Sequence, residues 1–170
     1  MALLPIKNCL DPVLRKQCQV IKNIDEELVI LSEDMIETTL AAPGVGLAAN
    51  QIGIPWRLFV VNMGVETDKD NLITLINPEI TAMEGSELGE EGCLSIPDMI
   101  AEVNRATQIE VKAIDLNGND VRFEAKGYLA RALQHEMDHL NGVLFWDSLG
   151  KVKRDIMKRK FKKKLKEQDA

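Results

Sequence analysis

Hydrophobic and polar positions follow two different periods along this chain, and the switches between them mark its elements. In Leu10-Asp11-Pro12-Val13-Leu14, Asp11 as a cap and Pro12 at the first position predict a short helical turn. Asp25 opens a longer helix. Glu26 and Glu27 put acid in its first turn, and Leu28, Leu31 and Met35 recur at the spacing of a core face. Ala41-Ala42-Pro43-Gly44 ends it. Residues 57–61 and 72–76 read as strands, the second ending at Asn77-Pro78, with 79–83 open to continuing beyond the bend. The charged segment between residues 64 and 71 reads as a surface loop or hairpin end. Residues 108–114 alternate as a half-buried strand does, Asn117-Gly118 marks a hairpin turn, and 120–125 return as the partner strand. From about Gly127 the period becomes helical again through Leu129, Ala132, Leu133, Met137 and Leu140, and Gly142 is a natural stop. Val152, Ile156, Met157, Phe161 and Leu165 then predict an amphipathic terminal helix, docked by that stripe with its lysines in solvent.

This order predicts an α+β fold: antiparallel strands wrapped around a central helix, followed by a C-terminal helix, with no repeating βαβ unit and no internal repeat. A length of 170 residues suits one domain with a real core. No apolar run approaches the roughly 18–20 residues of a membrane span, and the first residues lack the pattern of a signal peptide, so no membrane partner is expected. Three cysteines, Cys9, Cys18 and Cys93, form no close-spaced framework, which suits reduced thiols and a cytoplasmic location. Charge is uneven. Residues 151–170 hold ten basic and three acidic side chains, about +7, so the rest carries about −13 to give the net −6. Such asymmetry marks an appended interaction surface, for which nucleic acid is one polyanionic partner.

Chemistry concentrates in the central helix, at Gln134-His135-Glu136-Met137-Asp138-His139-Leu140-Asn141-Gly142. The chain's two histidines both lie here, four residues apart. Residues i and i+4 share a helix face, so His135 and His139 can direct both imidazoles at one ion. Glu136 is turned about 100° from His135, which puts it beside such an ion, within reach of water there. Gly44-Val45-Gly46-Leu47-Ala48-Ala49-Asn50-Gln51 matches a loose dinucleotide pattern. A helix precedes it and Gly53 and Pro55 soon follow, so the strand–turn–helix context is missing. It reads instead as a tight turn of small residues, or as backbone that a ligand must approach closely, with Gln51 supplying an amide.

Catalytic tetrahedral sites commonly use three protein ligands, so one more is needed. A metzincin-type third histidine would fall at residue 145, which is Phe145. A thermolysin-type downstream carboxylate leaves only Asp147 and Asp155 before the lysines. A cysteine is the third option. Cys93 follows a glycine in Glu90-Glu91-Gly92-Cys93-Leu94-Ser95, whereas Cys9 and Cys18 flank a plain amphipathic start and read as buried, inert thiols.

Three motifs occur together and in order: Gly-x-Gly-Leu-Ala-Ala-x-Gln at 44–51, Glu-Gly-Cys-Leu-Ser at 91–95 and Gln-His-Glu-x-Asp-His-Leu-x-Gly at 134–142. With them the chain resembles the bacterial-type peptide deformylases over essentially its whole length. The resemblance implies that Cys93, His135 and His139 bind one ion. It implies Fe(II) in the cell, with Zn(II), Ni(II) or Co(II) able to substitute. It implies that a metal-bound hydroxide removes the formyl group from N-formyl-methionyl ends of new polypeptides and releases formate, with Glu136 as general acid and base. Leu94, through its backbone N–H, and Gln51 would stabilise the oxyanion. Gly44, Val45, Gly46 and Gly92 would bind substrate, with Val45 lining the methionine pocket. Residues 1–147 would then be the catalytic body and 148–170 a basic helix of the same domain, a candidate contact with the ribosome. Many members have Glu in place of Pro43, and several an Arg in place of Ile100; both positions line the substrate groove in such members. A zinc metallopeptidase is the alternative reading, and Phe145 argues against it.

Overall fold

The computed structural model describes residues 2–42, 44–64 and 71–169; Pro43 and most of the expected loop between 64 and 71 lie outside the described residues. Asp11 caps a 3-10 turn over Pro12–Arg15 by accepting from the Val13 N–H, as its position before Pro12 predicts. Asp25 likewise accepts from the Leu28 N–H and starts α1, Glu26–Ala41. Among the described residues seven strands follow: β1 (Gly46–Ala48), β2 (Leu58–Asn62), β3 (Leu72–Glu84), β4 (Glu87–Cys93), β5 (Ile96–Arg105), β6 (Gln108–Ile114) and β7 (Asp120–Lys126). Helix α2 spans Gly127–Leu140 and α3 Lys151–Asp169. Among the described residues no helix is long and apolar enough to cross a membrane.

The strands form two antiparallel sheets, one of five in the order β1-β2-β3-β6-β7 and one hairpin, β4-β5. Strand β2 explains the layering. Its run Leu58-Phe59-Val60-Val61 is buried throughout because both sheet faces are covered. Leu58 and Val60 join Leu28, Leu31 and Met35 of α1, whereas Phe59 and Val61 join Leu133, Met137 and Leu140 of α2. Helix α2 is thus central, as the α+β reading expects. A further cluster joins Ile96, Met99 and Val103 of the hairpin to Val13, Leu14, Phe145, Trp146 and Phe161 of α3.

Three local expectations change, and one hairpin was not expected. Asn77-Pro78 does not end a strand: β3 runs through it at a bulge, where the register shifts between Ile76 and Glu79. Asn77 adopts a positive φ and exchanges both side-chain hydrogen bonds with the Ile21 backbone, so a residue without an N–H fits beside it. The stretch at 44–51 is not merely a tight turn. Gly46–Ala48 pairs with β2 as the outermost strand of the sheet, followed by a 3-10 turn at Ala49–Ile52. The hairpin β4-β5 has no clear periodicity to announce it. Finally, of the predicted stripe on α3 only Met157, Phe161 and Leu165 join the core cluster, since Val152 and Ile156 are 72 % and 41 % exposed.

Candidate metal centre

Helix α2 buries Leu133, Met137 and Leu140 against the sheet and turns His135 and His139 towards the hairpin. Hairpin pairing closes at Cys93 and Ile96, which leaves Leu94-Ser95 as the tip and Cys93 as the last residue of β4. The tip is anchored from two sides. The Cys9 N–H donates to the Ser95 carbonyl at 2.9 Å, and Gln51 Nε2 donates to Ser95 Oγ at 3.1 Å. Cys93 Sγ therefore meets the helix at a fixed place.

Cys93 Sγ lies 3.3 Å from His139 Nε2, which lies 3.2 Å from His135 Nε2, and one ligand atom from each residue falls within 4.8 Å of the others. Metal–nitrogen bonds of about 2.05 Å and a metal–sulfur bond of about 2.3 Å, at tetrahedral angles, span edges of about 3.3 and 3.6 Å. The two short separations match that geometry, so the donor set fits one divalent ion. Burial and the neighbouring His135 charge hold His139 well below the usual imidazole range, leaving it neutral as a ligand must be. Burial works the same way on His135, but hydrogen bonds to Cys93 and Glu91 outweigh it and push that ring up, so a proton competes with metal there.

Glu91 forms the support behind His135. Its carboxylate, 5 % exposed, accepts from Arg105 Nε at 2.8 Å and Nη2 at 2.9 Å, and from Arg131 Nη1 at 2.8 Å. His135 Nδ1 sits 2.9 Å from its Oε1. Burial raises this carboxyl, but the Arg105 and His135 contacts prevail and leave it at about 2. A charged carboxylate only accepts, so the His135 proton belongs on Nδ1 and the Nε2 lone pair faces the centre. Arg105 also reaches Asp138 at 2.5 Å, tying the same helix. Sequence reasoning assigned no role to Glu91, Arg105, Arg131 or Asp138. Two of these stand inside the quoted motifs, which is the signal that was there to find; the arginines meet them only through the fold.

Glu136 is 3 % exposed, and burial pushes its carboxyl up to about 7 although His135 pulls it down. Among the described residues its Oε1 has no hydrogen-bond partner, and Oε2 faces β1. A Cβ on Gly46 would lie 2.7 Å from that oxygen and 3.0 Å from the Val60 carbonyl, so glycine makes room for the carboxylate. A Cβ on Gly44 would lie 2.9 Å from Leu94 Cδ1, whereas one on Gly92 would meet only Met99 O at 3.5 Å. The Gln51 Oε1 accepts from the Ala48 N–H at 2.9 Å, which directs Nε2 towards Cys93 Sγ, 3.7 Å away.

A groove of about 730 Å³ joins these parts, lined by Gly44, Val45, Gly46, Gln51, Gly92, Cys93, Leu94, His135 and Glu136; His139 lies behind it, 1 % exposed. The competing ligand positions lead elsewhere. Phe145 is buried with its ring 6.3 Å from that of His135, and Asp147 pairs with Arg15 at 2.6 Å. Cys9 and Cys18 are buried, and burial pushes both thiols up to about 11, which suits inert packing.

A family model described as polypeptide deformylase matches residues 3–155. A peptide deformylase of Syntrophobacter fumaroxidans is 48 % identical over 170 residues, covering 100 % of both chains. One from Thermodesulfovibrio yellowstonii is 47 % identical over 96 % of this chain and 99 % of its own. The crystal structure of a peptide deformylase from Legionella pneumophila superposes with a TM-score of 0.93 at 41 % identity, covering 98 % of each chain. With a family match over most of its length and relatives nearly half identical from end to end, this chain belongs to the polypeptide deformylase family.

Proposed function

We propose that Cys93, His135 and His139 hold one divalent ion, that Glu136 moves the proton, and that Gln51 and the Leu94 N–H receive the oxyanion, as the enzyme hydrolyses the formyl group from N-formyl-methionyl ends of new polypeptides and releases formate. The observation that carries this assignment is the meeting of one thiol and two imidazoles, from a hairpin tip and a helix, within 4.8 Å beside a buried carboxylate. When bound, the ion supplies Lewis acidity, which makes water nucleophilic near neutral pH and draws charge from a carbonyl oxygen. Water attacks the formyl carbon. Glu136 takes the proton from that water and returns it to the departing amine, a role that its burial beside the two imidazoles supports. Gln51 Nε2 is already turned towards Cys93 and Leu94 follows Cys93 in the chain, which supports the two as donors to the developing negative charge. Val45 contacts the methionine side chain. Gly44 and Gly46 on the β1 side and Gly92 on the hairpin side offer backbone to an extended peptide.

Fe(II) is the ion proposed for the cell, with Zn(II), Ni(II) or Co(II) as substitutes; one thiolate with two imidazoles suits these softer ions. Three free cysteines support a cytoplasmic location. Residues 1–147 are the catalytic body and 148–170 belong to the same domain, which the buried Phe161 supports. The exposed lysines of α3 are proposed to contact the ribosome. Because Phe161 is core, Lys162→Glu with Lys163→Glu is a cleaner test than truncation: ribosome co-sedimentation falls if the contact exists, and unchanged co-sedimentation removes it.

Formate release from formyl-Met-Ala, with and without chelator, tests the main assignment. Turnover should stop with chelator and return with Fe(II) under anaerobic conditions. Chelator-insensitive turnover would refute the metal centre. The metallopeptidase alternative is set aside, since the family is that of deformylases and residue 145 is a core phenylalanine.

A further inference from the structure

The two histidines differ in what stands behind them. His135 Nδ1 has the Glu91 carboxylate at 2.9 Å, whereas His139 Nδ1, in a residue 1 % exposed, has no hydrogen-bond partner among the described residues. His139 turns Nε2 towards Cys93 Sγ and His135 Nε2, so a metal would take that nitrogen and the ring proton would stay on Nδ1. A ligating histidine almost always donates this second N–H, and burying it without an acceptor is costly. A residue that already touches His139 carries an acceptor. Asn50, 0 % exposed in the 3-10 turn after β1, donates from Nδ2 to the His139 carbonyl at 2.5 Å. Its Oδ1 has no partner among the described residues. Only two other buried side-chain polar atoms share that condition among the described residues, and neither competes. Trp146 Nε1 is a donor, and Glu136, which carries the other, lines the groove that His139 lies behind.

We propose that Asn50 is a positioning residue for His139. Its Nδ2 fixes the backbone carbonyl, and its Oδ1 accepts the Nδ1 proton through one buried water. Held at both points, the ring keeps its plane and aims Nε2 at the metal position. This inference rests on the reading of Cys93, His135 and His139 as one metal centre. No direct bond joins Oδ1 to Nδ1, and water is the usual partner of buried polar groups that the protein leaves over. The two ligands are thus held unequally, His135 by a charged carboxylate and His139 by a neutral amide. A neutral acceptor makes the weaker hydrogen bond. Its removal should therefore weaken metal binding about tenfold, the low end for partners of this kind.

The test uses the full chain loaded with Zn(II), its histidines labelled with nitrogen-15. The chain has two histidines, so their ring signals separate readily. Each ring should carry its proton on Nδ1. Asn50→Leu, close in shape but without polar atoms, should move the His139 Nδ1 proton upfield and leave that of His135 in place. The same variant should lower Zn(II) affinity about tenfold in chelator competition. Arg57→Met is the control for a merely structural anchor, because Arg57 holds the same helix end through the Leu140 carbonyl and Asn141 Oδ1. It should lower stability in urea and leave both ring signals and Zn(II) affinity unchanged. A crystal structure of the Zn(II)-loaded wild type decides the matter if Asn50→Leu does not fold: one water should bond both Asn50 Oδ1 and His139 Nδ1. An Nδ1 bonded to any group other than Asn50 or a water on it overturns the inference. So do an unmoved His139 signal with wild-type affinity in Asn50→Leu, or equal losses of affinity in Arg57→Met. Zn(II) that fails to bind the wild type, or binds Cys93→Ala undiminished, overturns the metal-centre reading and the inference with it.

Discussion

Replacing Glu91 by glutamine keeps the shape of the side chain and removes its charge. The native carboxylate takes part in four hydrogen bonds, two with Arg105, one with Arg131 and one with His135. An amide offers one oxygen. If that oxygen keeps the Arg105 Nη2 and His135 contacts, the NH₂ group opposes Arg105 Nε and Arg131 Nη1, which are all donors. If it turns the other way, the NH₂ group faces His135 Nδ1, and the ring must then carry its proton on Nε2, where metal should bind. Breaking a buried ion pair on one side costs about 3–5 kcal/mol. Here the cost sits near 3 kcal/mol, because Arg105 keeps Asp138 and Arg131 keeps the Val103 and Glu87 carbonyls. Loss of a partner behind a metal-ligating histidine weakens binding by about 10- to 100-fold. Urea unfolding measures the first quantity and chelator competition the second. Glu90→Gln, exposed and one residue away, should change stability by less than about 0.5 kcal/mol. A Glu91→Gln protein within about 1 kcal/mol and twofold of wild type on the two measures would show that Glu91 neither bears the arginine charges nor orients His135.

Glu136→Ala should retain its metal and lose at least about 100-fold in rate, read by metal analysis alongside formate release; near-normal turnover contradicts the proton-transfer role. Gly46→Ala should keep metal but lower kcat, since the new Cβ would press on the Glu136 carboxylate and the Val60 carbonyl at 2.7 and 3.0 Å. Cys93→Ala should lose bound metal, whereas Cys9→Ala and Cys18→Ala should retain it, as metal content of the three purified proteins will report. Asp147 is held below the usual carboxylate range: burial raises it, but Arg15 and the Leu144 N–H prevail. A carboxyl depressed in the folded state stabilises above its unfolded value, near 3.9, and loses that contribution as pH falls through its folded value. Asp147→Asn should thus cost about 1 kcal/mol at pH 7, and the gap from wild type should close below about pH 4 in urea titrations; a gap independent of pH rules the ion pair out as its source.

Much of the molecule was legible along the chain, because the features concerned are local. Caps at Asp11 and Asp25, the helical period through Leu133 and Leu140, and the four-residue step from His135 to His139 are each set within a turn or two of backbone. The terminal stripe was half legible: periodicity makes Val152 and Ile156 equal to Phe161, but only the later turns of α3 reach the cluster around Trp146. Strand β4 escaped notice because Glu-Leu-Gly-Glu-Glu-Gly-Cys has weak strand propensity, and Arg131 holds it from another element through the Glu87 and Gly89 carbonyls. What the sequence alone determined is the stock of chemical groups and their local spacing: two histidines and a glutamate on one helix, a cysteine after a glycine, a stretch of small residues before a glutamine. Only the tertiary structure decided that Cys93 stands 3.3 Å from His139, that Gly46 leaves space for Glu136, and that two arginines 26 positions apart close on Glu91. Those distances depend on how the hairpin, β1 and α2 pack, and no period along one strand or helix carries that information.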